Sequence, residues 1–121
     1  MLNLDTHILI YALADSLTAR ERKLLTANRW GISAIVLWEL DQLFELRRID
    51  VDLMDPDVAR ILNQLHVWPI DLSVCRKLRL VDFDSDPADE LIAATSLAHN
   101  VPLLTRDRKM LSSRVVPLAT S

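Results

Sequence analysis

Residues 86–107, DPADELIAATSLAHNVPLLTRD, combine a helix start, an apolar helical face and a short apolar strand, with an acid near each end. Asp86 is expected to cap the first helical turn with its side chain, and Pro87 suits the first helical position, so Asp89 falls on the first turn. The strand that follows the helix ends just before Asp107. Because strand carboxyl ends and helix amino ends share one edge of a parallel α/β sheet, Asp89 and Asp107 are predicted to face a single cleft.

Two further acids occupy positions that require an explanation. Asp5 ends a short strand that begins at Leu2, and Glu39 lies in ISAIVLWEL, residues 32–40, a helix too apolar to hold a carboxylate without reason. An acid at a helix start is also favoured by the helix dipole and the free amides there, whatever the function. For one acid alone that structural explanation is the safer one. Four acids in this arrangement instead indicate a shared site.

Three stretches and the terminal strand together resemble the PIN-domain nucleases, and most closely the VapC-type toxins of prokaryotic toxin-antitoxin pairs. The stretches are LDTHILIYAL at residues 4–13, ISAIVLWEL at 32–40 and the segment 86–107. No single motif is specific, whereas their order and spacing are, and the resemblance spans nearly the whole chain. Thr105 matches the hydroxyl residue that usually precedes the last acid by two positions, but Glu90 stands where the pattern most often has Arg. The resemblance implies an acidic quartet of Asp5, Glu39, Asp89 and Asp107.

The alternation of predicted elements indicates an α/β fold with a central parallel β-sheet covered by helices on both faces. The resemblance implies the same architecture, as a PIN-like single domain over residues 1–121. A chain of 121 residues, 50% of them hydrophobic, can bury a core of that size. Strands are predicted over residues 2–5, 30–33, 67–70, 102–105 and 114–118. Helices are predicted near residues 6–14, 16–28, 34–47, 56–66, 72–81 and 87–99, and shortly after Asp107.

Several classes of protein are disfavoured by composition. Apolar runs are too short to span a bilayer, and the N-terminus lacks the charged region and cleavage site of a signal peptide, so a cytoplasmic protein without membrane contact is expected. The one glycine, Gly31, excludes a glycine-rich phosphate loop and makes a nucleotide cofactor improbable. The single Cys75 cannot form an internal disulfide and is predicted to pack as a small apolar residue.

Histidines and tryptophans offer no further site by their pattern. The histidines lie on different elements without the spacing of zinc ligands, so each is predicted to be structural. The tryptophans lie in or beside apolar runs, which favours core packing over base stacking. The residues concerned are His7, His66, His99, Trp30, Trp38 and Trp68.

The predicted cluster of four carboxylates indicates what chemistry the site performs. Hard oxygen ligands suit Mg²⁺ or Mn²⁺, and like charges held close together cannot all remain ionised without a cation. Such ions activate water against a phosphodiester, which describes a hydrolytic nuclease. Thr6 and Thr105 are predicted either to orient Asp5 and Asp107 or simply to satisfy local backbone groups.

The net charge of −3 argues weakly against a nucleic-acid substrate, although bound cations would offset much of the acidity. Phosphate contact is predicted for the three basic residues beside the last acid, which are Arg106, Arg108 and Lys109. The resemblance implies an RNA substrate, a homodimer and a small VapB-like antitoxin that covers the site.

Two other classes of function compete with the nuclease. A phosphoryl-accepting receiver-like module would need paired acids after the first strand and a Lys after a late strand, but the chain has one acid at Asp5 and another acid at Asp107. A catalytically silent PIN-like interaction domain remains the alternative, because four acids do not by themselves prove turnover. A metal-dependent cleavage assay separates that alternative from the nuclease.

Overall fold

The computed structural model describes residues 1–120, and that part of the chain folds around a single four-stranded sheet. The strands are β1 (Leu2–Leu4), β2 (Trp30–Ser33), β3 (His66–Trp68) and β4 (Leu103–Leu104). The α-helices are α1 (Thr6–Leu13), α2 (Ala19–Ala27), α3 (Ala34–Glu45), α4 (Pro56–Leu62), α5 (Leu72–Lys77), α6 (Pro87–His99) and α7 (Arg108–Leu111), and a 3₁₀ turn covers Leu78–Leu80.

All strand pairs in the sheet are parallel, and their order is β3-β2-β1-β4. Asn3 of β1 lies beside both Gly31 of β2 and Leu103 of β4, so the first strand of the chain is interior to the sheet. Asp5 therefore emerges from the middle of the carboxyl edge. The predicted α/β fold around a central parallel sheet is confirmed.

The core explains why most residues of the strands are apolar. Every residue of β1 is buried, and Ile8 and Leu9 of α1 and Ile92 of α6 are fully buried in the same hydrophobic cluster. The Trp68 ring packs closely over Gly31 and leaves no room for a side chain there, because a Cβ would lie 2.4 Å from Cη2 of the ring. The sheet and its helices thus form a packed base for the residues at the carboxyl edge.

Helix α6 begins differently from the prediction. Pro87 does occupy the start of the helix, but the Asp86 side chain makes no capping hydrogen bond, so that part of the prediction is wrong. Glu90 instead reaches back, and its Oε2 accepts a hydrogen bond of 3.0 Å from the amide of Ser85. The carboxylate at the position that departs from the family pattern thereby orders the turn before the helix.

The predicted strand over 114–118 is also wrong. In its place a single bridge joins Leu118 to Leu103, next to Pro117. Proline has no amide hydrogen to donate and cannot extend a ladder of hydrogen bonds. The predicted helix over 56–66 ends at Leu62, because β3 begins at His66.

Two predictions of burial fail for the same geometric reason. Cys75 is exposed, since Val74 takes the buried position in the short helix α5. The side chain of Trp38 is 57% exposed, whereas Trp68 is buried and Trp30 is partly buried. Successive helical residues are rotated by about 100°, so an apolar neighbour of a buried residue can face outward.

No helix within residues 1–120 is both long and apolar enough to cross a bilayer.

Candidate active site

One cleft of about 340 Å³ at the carboxyl edge of the sheet contains all four predicted acids. They arrive from four separate segments: Asp5 after β1, Glu39 in α3, Asp89 in the first turn of α6, and Asp107 after β4. The other residues that line the cleft are His7, Tyr11, Asp86 and Arg106. The parallel topology therefore brings together acids that lie far apart in the sequence.

Asp5 is the most buried of these acids, with 4% of its surface exposed. It caps α1, where its Oδ1 accepts a hydrogen bond of 2.8 Å from the amide of Thr6. Its Oδ2 accepts a hydrogen bond of 2.7 Å from Oγ1 of Thr105. Burial raises the pKa of Asp5 from 3.8 to about 6, the hydrogen bond from Thr105 opposes that rise, and the charge of Asp89 adds to it. The two hydrogen bonds hold the carboxylate in place, and its burial makes ionisation less favourable.

Glu39 and Asp89 are each held by a hydroxyl group. Oγ1 of Thr6 donates to Oε1 of Glu39, and Oγ of Ser85 donates to Oδ2 of Asp89 over 2.7 Å. Partial burial is the main reason that the pKa of each carboxyl is raised. The neighbouring acids raise both pKa values further, Asp89 acting on Glu39 and Asp107 acting on Asp89. These carboxylates repel one another in the absence of a cation.

Asp107 caps the short helix α7 with its side chain. Its Oδ1 accepts hydrogen bonds from the amides of Lys109, at 2.9 Å, and of Met110, at 3.1 Å. Its own amide donates to Oγ1 of Thr105 over 3.0 Å. Because the same hydroxyl donates to Asp5, Thr105 links the two strand-end acids.

The hydroxyl of Thr105 does hold one of the two acids predicted for the threonines, Asp5, whereas the hydroxyl of Thr6 holds Glu39. The hydroxyl of Thr6 holds Glu39, while only its backbone amide holds Asp5. The hydroxyl of Thr105 holds the side chain of Asp5 and only the backbone of Asp107. The side chain of Asp107 instead caps helix α7. The position of Asp107 after a strand does not predict that role.

The three basic residues after Thr105 occupy two environments. Arg106 lines the cleft, and its guanidinium forms a two-pronged ion pair with Glu21 of α2. Arg108 and Lys109 lie exposed on α7.

Sequence reasoning missed several residues at this site. Ser85 carries no distinctive signal. Glu21 could have been found, because TARE at residues 18–21 is a capping-box pattern that marks Glu21 as a residue with defined partners. His7 was predicted to be structural, yet it is an exposed residue that lines the cleft.

By its chemistry the donor set fits a divalent cation. Four carboxylates supply hard oxygen ligands, and the raised pKa values of Asp5, Glu39 and Asp89 indicate a site that positive charge would stabilise. Within residues 1–120 no three acidic, histidine or cysteine side chains already converge closely enough to hold an ion. The fit thus lies in the ligand chemistry rather than in a preformed coordination geometry.

Most of this chain is similar to known proteins. A family model for the PIN domain matches residues 3–114. Ribonuclease VapC22 of Mycobacterium tuberculosis is 31% identical over 120 residues, which cover 92% of this chain and 90% of the relative. Among solved structures, VapBC2 of Rickettsia felis bound to a DNA fragment from its promoter has a TM-score of 0.75 at 21% identity, covering 98% of both chains. A toxin-antitoxin complex of Klebsiella pneumoniae has a TM-score of 0.73 at 18% identity, covering 98% of this chain and 97% of that one.

Proposed function

The chain belongs to the PIN-domain family, and from that premise we propose that it is a metal-dependent endoribonuclease and the toxin of a type II toxin-antitoxin pair. The observation that carries the proposal is the cleft in which four carboxylates from four segments meet. The mycobacterial relative is a ribonuclease, and the two structural neighbours are toxin-antitoxin assemblies, which supports the same activity and setting here. The substrate is RNA, and the protein acts in the cytoplasm.

Four acids would hold the ion, which are Asp5, Glu39, Asp89 and Asp107. When bound, Mg²⁺ or Mn²⁺ supplies water activated for attack on a phosphodiester and positive charge against the charge that grows on the phosphoryl oxygens. The chain itself positions the carboxylates. Thr105, Thr6 and Ser85 each hold one carboxylate oxygen, of Asp5, Glu39 and Asp89 respectively, and so restrict these three side chains.

Basic residues complete the substrate site. A cleft made of carboxylates repels the backbone of RNA, so phosphates need cations close to the last acid. Arg106, which lines the cleft, and the exposed Arg108 and Lys109 supply that charge.

The biological partner is a small VapB-like antitoxin that covers the cleft, and the toxin is a homodimer. Expression of the chain alone should arrest growth of its source organism, and co-expression of the cognate antitoxin should restore growth. Soluble protein with intact acids that causes no arrest would favour a catalytically silent interaction domain.

The biochemical test is cleavage of RNA by the purified chain. Cleavage should require Mg²⁺ or Mn²⁺, should stop in excess EDTA, and should be lost in Asp89→Asn, which removes one ligand charge with little change in shape. Arg60→Ala on α4 is the control, because Arg60 and its partner Asp57 are exposed and neither is among the residues that line the cleft. Cleavage by Asp89→Asn at the parent's rate would contradict the proposal.

A further inference from the structure

We infer that Glu21 and Tyr11 form a clamp that holds the guanidinium of Arg106 beside the acid cleft as a binding group for a backbone phosphate of the RNA. The inference rests on the proposed function and deepens it. It assigns positioning roles to Tyr11 of α1 and Glu21 of α2, two helices that contain none of the four acids.

The contacts of Arg106 fix the guanidinium in both position and plane. Nε donates to Oε2 of Glu21 and Nη2 donates to Oε1 of Glu21, each over 2.7 Å. Nη2 also donates to the carbonyl oxygen of Ser16 over 3.1 Å. The Cζ atom lies 3.9 Å from the centre of the Tyr11 ring. Paired hydrogen bonds along one edge and a ring against one face leave the group little freedom to rotate.

One part of the guanidinium remains available. Arginine carries five N–H donors, and the contacts above use the Nε and Nη2 groups. None of these hydrogen bonds uses Nη1. The side chain of Arg106 is 38% exposed and lines the same cleft as Asp5 and Asp107. The free Nη1 donors of a fixed cation can donate to a phosphate oxygen.

Glu21 also keeps Arg106 away from the catalytic acids. The cleft contains four carboxylates, yet within residues 1–120 the carboxylate that pairs with Arg106 is Glu21. Glu21 is itself fixed, because its Oε1 accepts a hydrogen bond of 2.9 Å from the amide of Thr18 in the capping box of α2. Arg106 lowers the pKa of Glu21 to about 2, so the ion pair persists at neutral pH. A guanidinium released from this clamp would be attracted to Asp5 and Asp107 and would occupy the place of the cation.

The sign of one substitution separates this clamp from simple charge pairing. Glu21→Gln keeps the size of the side chain and its capping acceptor but removes the negative charge. If Glu21 positions Arg106, RNA affinity should fall by about fivefold, as expected when one charged contact is loosened. If Glu21 only neutralises Arg106, the variant loses a negative charge near the RNA and should bind as tightly as the parent or more tightly, which would overturn the inference.

Binding is measured without cleavage, by fluorescence anisotropy of a labelled single-stranded RNA with all variants built on Asp5→Asn. Arg106→Ala should weaken binding and reduce the slope of log affinity against log salt by about 0.7, the loss of one phosphate contact. Arg106→Lys should keep the slope and still bind more weakly. An unchanged slope in Arg106→Ala would overturn the inference.

Variants of the aromatic residue test the clamp without touching the cap of α2. Tyr11→Leu should lose affinity, while Tyr11→Phe, which keeps the ring, should retain it. Asp57→Asn is the matched control, since it breaks the exposed ion pair with Arg60 and should change nothing. Thermal unfolding verifies that each variant is folded.

The binding assay distinguishes failure of the clamp from failure of the proposed function. RNA binding that depends on Arg106 and Glu21, in a chain that never cleaves RNA, would retain the clamp and reject the nuclease. Full RNA affinity of Glu21→Gln on the Asp5→Asn background, together with cleavage by Glu21→Gln in a chain that retains Asp5, would do the reverse. An Asp5→Asn protein that binds no RNA would overturn the clamp, whereas cleavage of RNA by the parent chain decides the nuclease separately.

Discussion

Replacing Asp5 with Asn should abolish cleavage and, in the metal-free protein, increase stability. Folding moves the pKa of Asp5 from 3.8 to about 6, mainly through burial. Two pKa units correspond to about 3 kcal/mol of unfavourable ionisation at pH values above both. Asn keeps the shape and caps helices as well as Asp does, but it loses the hydrogen bond from Thr105 to a charged acceptor, a cost of about 1 kcal/mol. The expected net gain is about 1–2 kcal/mol, or about 4–8 °C in Tm.

The pH dependence gives the sign of this effect. The folded state binds the proton of Asp5 more tightly than the unfolded state does, so its stabilising contribution is complete below pH 3.8 and is lost as the pH rises through about 6. The free energy of unfolding of the parent should therefore decline across that window. In Asp5→Asn the decline should be shallower, and what remains comes from the raised pKa values of Glu39 and Asp89.

Urea unfolding in EDTA, followed by tryptophan fluorescence on both sides of the window, measures these differences. Asp41→Asn on α3 is the control, because it lies about 200° around the helix from Glu39 and is not among the residues that line the cleft. It should alter stability by less than about 0.5 kcal/mol and leave cleavage intact. An Asp5→Asn protein that is less stable than the parent above the window, or that has the parent's pH slope, would refute the reasoning.

Three further variants test the supports of the site and the sheet. Ser85→Ala removes the hydroxyl that holds Asp89 and should weaken Mn²⁺ binding by about tenfold in isothermal titration calorimetry; unchanged affinity would contradict that role. Thr105→Val removes the group between two acids and should lower the free energy of unfolding by about 1–3 kcal/mol in urea, so equal stability would count against the link. Gly31→Ala places a Cβ 2.4 Å from the Trp68 ring and should cost about 1–3 kcal/mol with a shift in tryptophan emission, whereas a silent change would show that the ring moves freely.

The acids of the cleft could be predicted because their signals are local. Asp5 directly follows a strand, Asp89 follows a proline at a helix start, and Asp107 lies shortly after another strand. Parallel topology then places strand ends and helix starts at one edge, so three local signals imply one place in space. Glu39 needed the apolar helix around it, where an unexplained carboxylate is conspicuous.

The pairing of Arg106 with Glu21 and the role of Ser85 could not be predicted, because they depend on how the folded chain brings these residues together. Arg106 and Glu21 are 85 residues apart, and no spacing in the sequence pairs them. Ser85 is positioned partly by Glu90, whose carboxylate accepts a hydrogen bond from the amide of Ser85. That contact depends on the path of the turn before α6. Trp38 is as apolar as its buried neighbours, and only the packing of α3 decides that it faces outward.

The chemistry of the product ends tests the central claim most directly. RNA can be cut by its own 2′-hydroxyl, which relies on general acid-base pairs and leaves a cyclic phosphate, or by external water. A site built from four carboxylates and a divalent cation predicts the second route. The products should carry 5′-phosphate and 3′-hydroxyl ends, and a substrate that lacks the 2′-hydroxyl at the scissile position should still be cut if it binds. Cyclic 2′,3′-phosphate ends, or cleavage that continues in excess EDTA, would show that the four acids are not the catalyst.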